Sequence, residues 1–175
     1  EIMKEYWSYM RDALPGKQLS ADLFGLSAAS YDDLGIGQRI EHAFPSFDAV
    51  SPMVYPSHYY PGSLGFENPA AHPYEIVFHS MSEAVRRLTR YRVSAAGAAA
   101  ATSTAPEAAP LSAATLRPWL QDFDLGADYG ADEVRMQIQA VYDAASGTPQ
   151  TVSGWMLWNS SNVYTKEALE SATSD

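Results

Sequence analysis

The spacing of apolar positions along the chain changes between the period of a helix and the period of a strand. Spacings of three and four residues predict an amphipathic helix over 2–14, which Pro15 and Gly16 end. The apolar stripe of this helix consists of Ile2, Tyr6, Met10 and Ala13. Apolar and polar residues then alternate over 19–25, which predicts the first strand.

The same patterns predict three more strands and four more helices. The strands are 47–56, 115–123 and 152–159, and the helices are 35–44, 73–92, 131–146 and 165–172. A long loop over 57–72, rich in Pro, Gly and aromatic residues, separates the second strand from the next helix. In the last helix we expect Thr165 to be the N-cap, and Ala168 and Leu169 to face inward.

Residues 94–114 differ in composition from the rest of the chain. They consist mostly of Ala, with Ser, Thr and Pro, and offer no side chains that fill a core. This composition predicts a mobile surface insertion within one domain over 1–175. Because Ala favours helix, a frayed helical turn is the alternative.

Helices and strands alternate through four strand-loop-helix units, which predicts an α/β fold with parallel strands. A doubly wound sheet and a (β/α)8 barrel both have this alternation. No Gly-rich phosphate-binding turn follows a predicted strand, and the strands end in polar or aromatic residues, as at the catalytic face of a barrel. Because a complete barrel takes about 250 residues, we expect half a barrel whose other half is supplied elsewhere.

Composition and charge exclude several classes of protein and site. The chain has a net charge of −10, which argues against nucleic acid as a partner. No apolar run approaches the roughly 20 residues that cross a bilayer, so no transmembrane segment is expected. The sequence has no Cys, and its His residues lack HExxH spacing. We therefore expect no thiolate chemistry, no metal site and no cofactor.

Several long motifs resemble a known family. They are ADLFG (21–25), GIGQ (35–38), VSPMVYPSHYYPGSLGFENPAAHPYEIV (50–77), LRPWLQDF (116–123) and GWMLWNSSNVY (154–164). With them the chain resembles the glycosyl-hydrolase domain family of bacterial TIM-barrel proteins. The motifs belong to the C-terminal half of that domain. The resemblance therefore implies an α/β fold that is the C-terminal half, about four β/α units, of a (β/α)8 TIM barrel.

The resemblance also implies a hydrolase of carbohydrate metabolism, a glycosidase acting on a glycan substrate. Such enzymes hydrolyse O-glycosidic bonds with two carboxyl groups, one of which protonates the leaving oxygen. The acidic motif that the family carries at strand four, of the type Asp-Tyr-Ile-Arg-Phe-Pro, does not occur in this sequence. One member of the pair is therefore expected upstream, in the missing N-terminal half of the barrel.

Two carboxylates in the chain are candidates for catalysis. If the strand over 19–25 is the fifth of the barrel, Asp22 is the expected general acid/base; alternatively it caps the following loop or pairs with a cation. Asp122 could act as a third carboxylate. Strand alternation puts Gln121 and Asp122 on opposite sides, so the alternative is that Gln121 is the inward, substrate-binding group and Asp122 a cap. Arg117 is expected to contact substrate or to form an ion pair with Asp22 or with the absent strand-four Asp.

Aromatic and polar side chains at the strand ends are candidates for binding sugar. Tyr55, His58 and Tyr59 follow the second strand, and Trp158 and Asn159 end the last. Their rings stack on apolar sugar faces, and their polar groups bond hydroxyls. For His58 the alternative is a brace for the aromatic loop, and for Trp158 a core-filling ring.

The leading interpretation is thus a glycoside-hydrolase-like barrel acting on a neutral or cationic glycan, since the acidic chain repels polyanions. The first alternative is a non-catalytic glycan-binding or cell-envelope module on the same barrel. The second is a structural piece whose aromatic loop docks a partner protein. For a glycan-active bacterial protein, an extracytoplasmic or cell-envelope location is the expectation.

Overall fold

A computed structural model describes residues 2–102 and 114–170. The helices are α1 (Ile2–Ala13), α2 (Ile40–Ala43), α3 (Pro73–Thr102) and α4 (Ala131–Ala144). The strands are β1 (Ser20–Phe24), β2 (Ala49–Met53), β3 (Thr115–Leu116), β4 (Trp119–Gln121) and β5 (Met156–Trp158). Short 3₁₀ turns lie in several of the connections. The prediction of an α/β fold is confirmed.

All pairings between the five described strands are parallel, as predicted. The strand order is β1-β2-β4-β5, and β3 also pairs with β2. β3 and β4 are two parts of one predicted strand, interrupted at Arg117 and Pro118. Proline has no amide hydrogen for a sheet ladder, whereas the Arg117 amide still donates to the Val50 carbonyl at 3.0 Å. Successive strands along the chain are therefore neighbours in the sheet.

The helices cover one side of this sheet. Strand residues Leu23, Val50 and Leu120 are buried there with Met81 and Leu88 of α3. The burial of these apolar side chains is the main stabilising contribution to the domain.

The opposite side of the sheet, which we call the open face, bears the alternate residues of the same strands. They include Asp22, Phe24, Met53, Trp119, Met156 and Trp158. Phe24 and Trp158 are 46% and 43% exposed. The open face thus presents large aromatic rings to solvent.

The predicted apolar stripe of α1 is wrong. Ile2 and Tyr6 are exposed, whereas Trp7 is buried and packs edge-on against Phe47. Arg11 fixes this rotation of the helix, because its guanidinium donates to the Ser46 carbonyl and to the Asp48 carboxylate. The buried face was decided by these contacts at the start of β2, not by the spacing of apolar residues.

The third predicted helix is longer in the structure. α3 continues from the predicted end at Arg92 to Thr102, so the described first part of the Ala-rich segment is helical. Alanine has the highest helix propensity, and this favours the continuation. Residues 103–113 of the predicted insertion lie outside the described residues.

The last predicted helix is shorter. A single 3₁₀ turn occupies Lys166–Ala168, and Thr165 before it makes no capping hydrogen bond through its side chain. Ala168 is buried as predicted, but Leu169 is 57% exposed, so its inward orientation was wrong. Residues 171–172 of that prediction lie outside the described residues.

A buried arginine connects α3 to the segment after β1. Arg87 is 2% exposed; its Nε donates to Glu41 of α2 at 2.6 Å, and its Nη2 contacts the second carboxylate oxygen. Its Nη1 donates to the carbonyls of Ser27 and Ala28 at 2.8 and 3.2 Å, and to that of Ser30. A buried guanidinium requires this degree of hydrogen bonding, because an unpaired buried charge is strongly unfavourable.

We predict that Glu41→Gln destabilises the domain and reduces its sensitivity to acid. Burial alone would raise the pKa of Glu41, but the hydrogen bonds and charge of Arg87 outweigh it and lower the pKa below 4.5. The pair therefore adds stability that is present above pH 4.5 and is lost as the pH falls through the lowered pKa. Removing the charge costs about 3 kcal/mol at pH 7, near the lower limit for breaking a buried pair.

Urea unfolding at pH 7 and at pH 3.5 measures both effects of this change. The matched control is Glu67→Gln, which changes an exposed carboxylate. Equal stability of Glu41→Gln and the wild type at pH 7 would contradict the prediction.

We also predict that Gly25→Ala destabilises the domain by about 1–3 kcal/mol, the usual cost of overpacking. Gly25 follows β1, and a Cβ atom at this position would lie 2.1 Å from the Met53 carbonyl oxygen. The backbone of β1 or β2 must then shift. Gly147→Ala is the control, because a Cβ there meets nothing within 4 Å. Equal urea midpoints for the two variants would refute the close approach.

Candidate functional site

The candidate site lies where the strands end on the open face. Parallel pairing brings the carboxyl ends of β1, β2, β4 and β5 to the same edge of the sheet. Asp22 lies near the end of β1, Tyr55 follows β2, Trp119 begins β4 and Trp158 ends β5. Residues far apart in the sequence thus reach one region of the surface.

Asp22 and Trp119 are joined by a hydrogen bond across the sheet. The indole Nε1 of Trp119 donates to Oδ1 of Asp22 at 2.9 Å. Because β2 lies between β1 and β4, this contact spans β2, where Ser51 is the register partner of Asp22. Ser51 is buried, and its hydroxyl has no hydrogen-bond partner among the described residues. The exposed Asp22 carboxylate is thus held at Oδ1 by the Trp119 indole.

Two tryptophans form an aromatic surface beside Asp22. The rings of Trp119 and Trp158 meet edge to face, with centroids 6.1 Å apart and an angle of 86° between planes. This is a favoured geometry for aromatic pairs, and it leaves the outer ring, Trp158, partly exposed. An exposed indole can stack on the apolar face of a ligand ring, and the carboxylate next to it can accept hydrogen bonds from hydroxyl groups on that ring.

Tyr55 is a buried phenol near the same carboxylate. Its ring contacts His58 and Phe123 edge to face, with centroid distances of 5.2 and 5.7 Å. Burial, with smaller contributions from the charges of Asp22 and Tyr164, raises the pKa of Tyr55 well above its ordinary value of 10. Its hydroxyl therefore stays protonated at physiological pH and can donate a hydrogen bond.

Tyr59 and His58 flank Tyr55 with different orientations. The Tyr59 hydroxyl forms a 2.7 Å hydrogen bond with the buried Ser80, and burial raises the pKa of Tyr59 to about 12. His58 is exposed at the rim of the site. Tyr59 thus supplies a ring surface, whereas the imidazole of His58 is accessible.

A small hollow of about 100 Å³ opens among these aromatic residues. Its lining is almost wholly apolar and consists of Phe24, Gly25, Leu26, Met53, Tyr55, His58 and Tyr59. The hollow therefore adjoins the Asp22 side of the open face through Phe24, which lies two residues further along β1.

Gln121 lies beneath the site and connects two loops. Its Oε1 accepts the Ser57 amide at 3.1 Å, and its Nε2 donates to the Phe123 carbonyl at 2.9 Å. Gln121 is fully buried. Its amide therefore positions the segments that follow β2 and β4.

Asp122 and Asn159 bond to the segment after β5. The Asp122 carboxylate accepts the Thr165 amide at 2.9 Å and the Thr165 hydroxyl at 2.7 Å. The side chain of Asn159 donates to the Asp122 carbonyl and accepts the Ser161 amide. Of the two roles expected for Asp122, this geometry favours the cap over catalysis.

Arg117 does not line the aromatic hollow next to Asp22. It is exposed between β3 and β4, and its Nη2 lies 3.3 Å from the Met156 sulfur. It lines a groove with Gln18 and Asp48, at the amino-terminal end of β1 and β2. The expected ion pair with Asp22 does not occur among the ion pairs of the described residues.

Sequence reasoning missed two residues of the site. Neither Trp119 nor Phe24 was among the predicted site residues. One signal was present: Phe24 shares the strand period of Ser20 and Asp22, so all three lie on one face. The contact of Trp119 with Asp22 had no such signal, because it depends on the strand order.

Residues 2–102 and 114–170 contain no cluster of three side chains suited to a metal ion. None of the helices in that part of the chain is long and apolar enough to cross a membrane.

We predict that Asp122→Asn lowers the free energy of unfolding by about 1.5–3 kcal/mol, the usual worth of hydrogen bonds to a charged group. The amide keeps one acceptor oxygen and cannot accept both Thr165 donors. Faster hydrogen exchange over Thr165 and the following turn is expected. Asp128→Asn, at an exposed loop position, is the control. Unchanged exchange over this turn in Asp122→Asn would contradict the capping role.

Comparison with known proteins identifies the family of the domain. A family profile described as "Putative glycosyl hydrolase domain" matches residues 1–164. Comparison with curated proteins and with solved structures gives no significant match. The matched range includes every strand of the described sheet and the three residues Asp22, Trp119 and Trp158. The chain therefore belongs to this glycosyl hydrolase domain family.

Proposed function

We propose that the domain is the C-terminal half of a (β/α)8 barrel that hydrolyses O-glycosidic bonds of a glycan. The observation that carries the proposal is the juxtaposition of Asp22, Trp119 and Trp158 on the open face, where β1 and β5 end. A carboxylate beside exposed indole rings combines acid/base chemistry with a surface for a sugar ring.

The topology supports the barrel. Successive strands are neighbours, so each crossover advances in the same direction across the sheet. Crossovers between parallel strands are right-handed in nearly all proteins, as a barrel requires. A barrel has helices on one side of its sheet and strand side chains on the other, which matches the helix-covered side and the open face. In a closed barrel the open face would be the interior, and its aromatic rings would be shielded from water. The remaining strands would come from an N-terminal half outside this chain.

The chemistry assigned to Asp22 follows from its hydrogen bond. General acid catalysis requires a carboxyl oxygen that carries a proton to the leaving group. The Trp119 indole N–H binds Oδ1, so Oδ2 is the oxygen that would hold and transfer the proton. The second carboxylate, acting as nucleophile or as base for water, is proposed to lie upstream at strand four.

The remaining candidate residues support binding rather than proton transfer. Trp158 offers the exposed ring, Tyr55 a protonated hydroxyl and His58 an accessible imidazole. The net charge of −10 makes a neutral or cationic glycan the better substrate, since a polyanion is repelled.

We predict that Asp22→Asn abolishes hydrolysis. The protein from the complete reading frame is incubated with a panel of neutral and amino-sugar glycans, and the release of reducing ends is measured. Loss of a general acid/base lowers the rate by about 10²–10⁴-fold, whereas Asp128→Asn keeps the wild-type rate. Hydrolysis that persists in Asp22→Asn would remove Asp22 from the mechanism.

A non-catalytic glycan-binding module is the second candidate. The observation that favours it is that Thr165 donates two hydrogen bonds to the Asp122 carboxylate. Of the two candidate carboxylates, only Asp22 is then accessible to a ligand. Titration of tryptophan fluorescence with the same glycans separates the two candidates. Binding without hydrolysis favours the module, and the absence of both would overturn the glycan site itself.

A further inference from the structure

The apolar hollow beside Tyr55 is poorly suited to a sugar hydroxyl. Apolar side chains and ring faces make up almost all of its lining, so a hydroxyl placed there would lose its hydrogen bonds to water without replacement. A small apolar substituent would fill it at no such cost. An engineered apolar cavity of about 150 Å³ holds benzene, so a hollow of about 100 Å³ suits a smaller group.

We propose that this hollow receives the acetamido group of an N-acetylhexosamine residue, so that the glycan bound at the site is N-acetylated. The inference rests on the proposed glycan site and names its substrate class.

Polar groups near the hollow match the two ends of an amide. The Asp22 carboxylate lies two residues before Phe24 on the same face and can accept the amide N–H. Tyr55 lines the hollow, and its hydroxyl is a donor for the amide carbonyl. The acetyl methyl would then lie against the rings and Met53.

The same features discriminate against other sugars. A deacetylated sugar has no acetyl methyl group to fill the apolar hollow, so it buries less apolar surface than the acetylated form. A 6-deoxy sugar supplies a methyl group but has no amide to bond with Asp22 and Tyr55. Glucose places a hydroxyl where the acetamido group would lie. Acetylation is therefore the expected determinant of binding.

The test uses the methyl glycosides of N-acetylglucosamine, glucosamine, glucose and fucose. Titration gives their affinities, and saturation-transfer NMR identifies the ligand protons closest to the protein. We expect the N-acetylglucosaminide to bind at least tenfold more tightly than the other three. We also expect its acetyl methyl protons to receive the largest saturation transfer.

Two variants tie this preference to the hollow. Met53→Phe adds bulk to the lining, and Tyr55→Phe removes only the phenolic hydroxyl; either change should weaken binding of the N-acetylglucosaminide about tenfold. Met136→Phe, at an exposed position of α4 away from the hollow, is the matched control. Thermal unfolding checks each fold, so Tyr55→Phe decides the result if Met53→Phe is misfolded.

The outcomes separate this inference from the proposed function. Equal affinity for the acetylated and non-acetylated sugars, or a preference for fucose, overturns the acetamido assignment and leaves a glycan site in place. An acetyl preference that survives in both variants places the selectivity elsewhere and also overturns it. Absence of binding to every sugar, with no hydrolysis of the glycan panel, overturns the proposed function as well.

Discussion

The shape of the site depends on the buried guanidinium of Arg87. From α3, behind the sheet, it bonds to Glu41 and to the carbonyls of Ser27 and Ser30, so the turn after β1 is bound to the helix layer. A buried cation is tolerated only when its donors are paired, and partial loss of this network is therefore costly. Gly25 and Leu26 begin that turn and also line the hollow. The charge of Arg87, on the helix side of the sheet, therefore helps to fix one wall of the hollow on the open face.

The hydrogen-bond partners of the two carboxylates separate their roles. Asp122 accepts two donors from Thr165 and thereby determines the path of the chain after β5. Asp22 accepts one indole N–H from Trp119, which orients the group and leaves it exposed to solvent. A carboxylate that is oriented and still accessible is the more suitable acid for chemistry on a bound sugar. In the proposed function, the aromatic rings around Asp22 select the sugar faces and substituents that fit.

The order and type of the elements followed from local sequence patterns. Alternating strand and helix periods predicted parallel strands in an α/β fold, and the ends of β1 and α4 were placed within two residues. Errors occurred where distant contacts outweighed a local pattern. α1 buries Trp7 because Arg11 binds Asp48, although Tyr6 lies on the more regular apolar stripe.

The sequence by itself determined the fold class, the family and the set of aromatic and acidic residues at the strand ends, because periodicity and motifs are properties of neighbouring residues. Only the tertiary structure decided which of those residues act together. Trp119 and Asp22 are 97 positions apart in the chain, and they meet because their strands, β4 and β1, both pair with β2. Packing between elements determines which side of the sheet the helices leave open and which donors bind Asp122. The spacing of neighbouring residues does not contain this information.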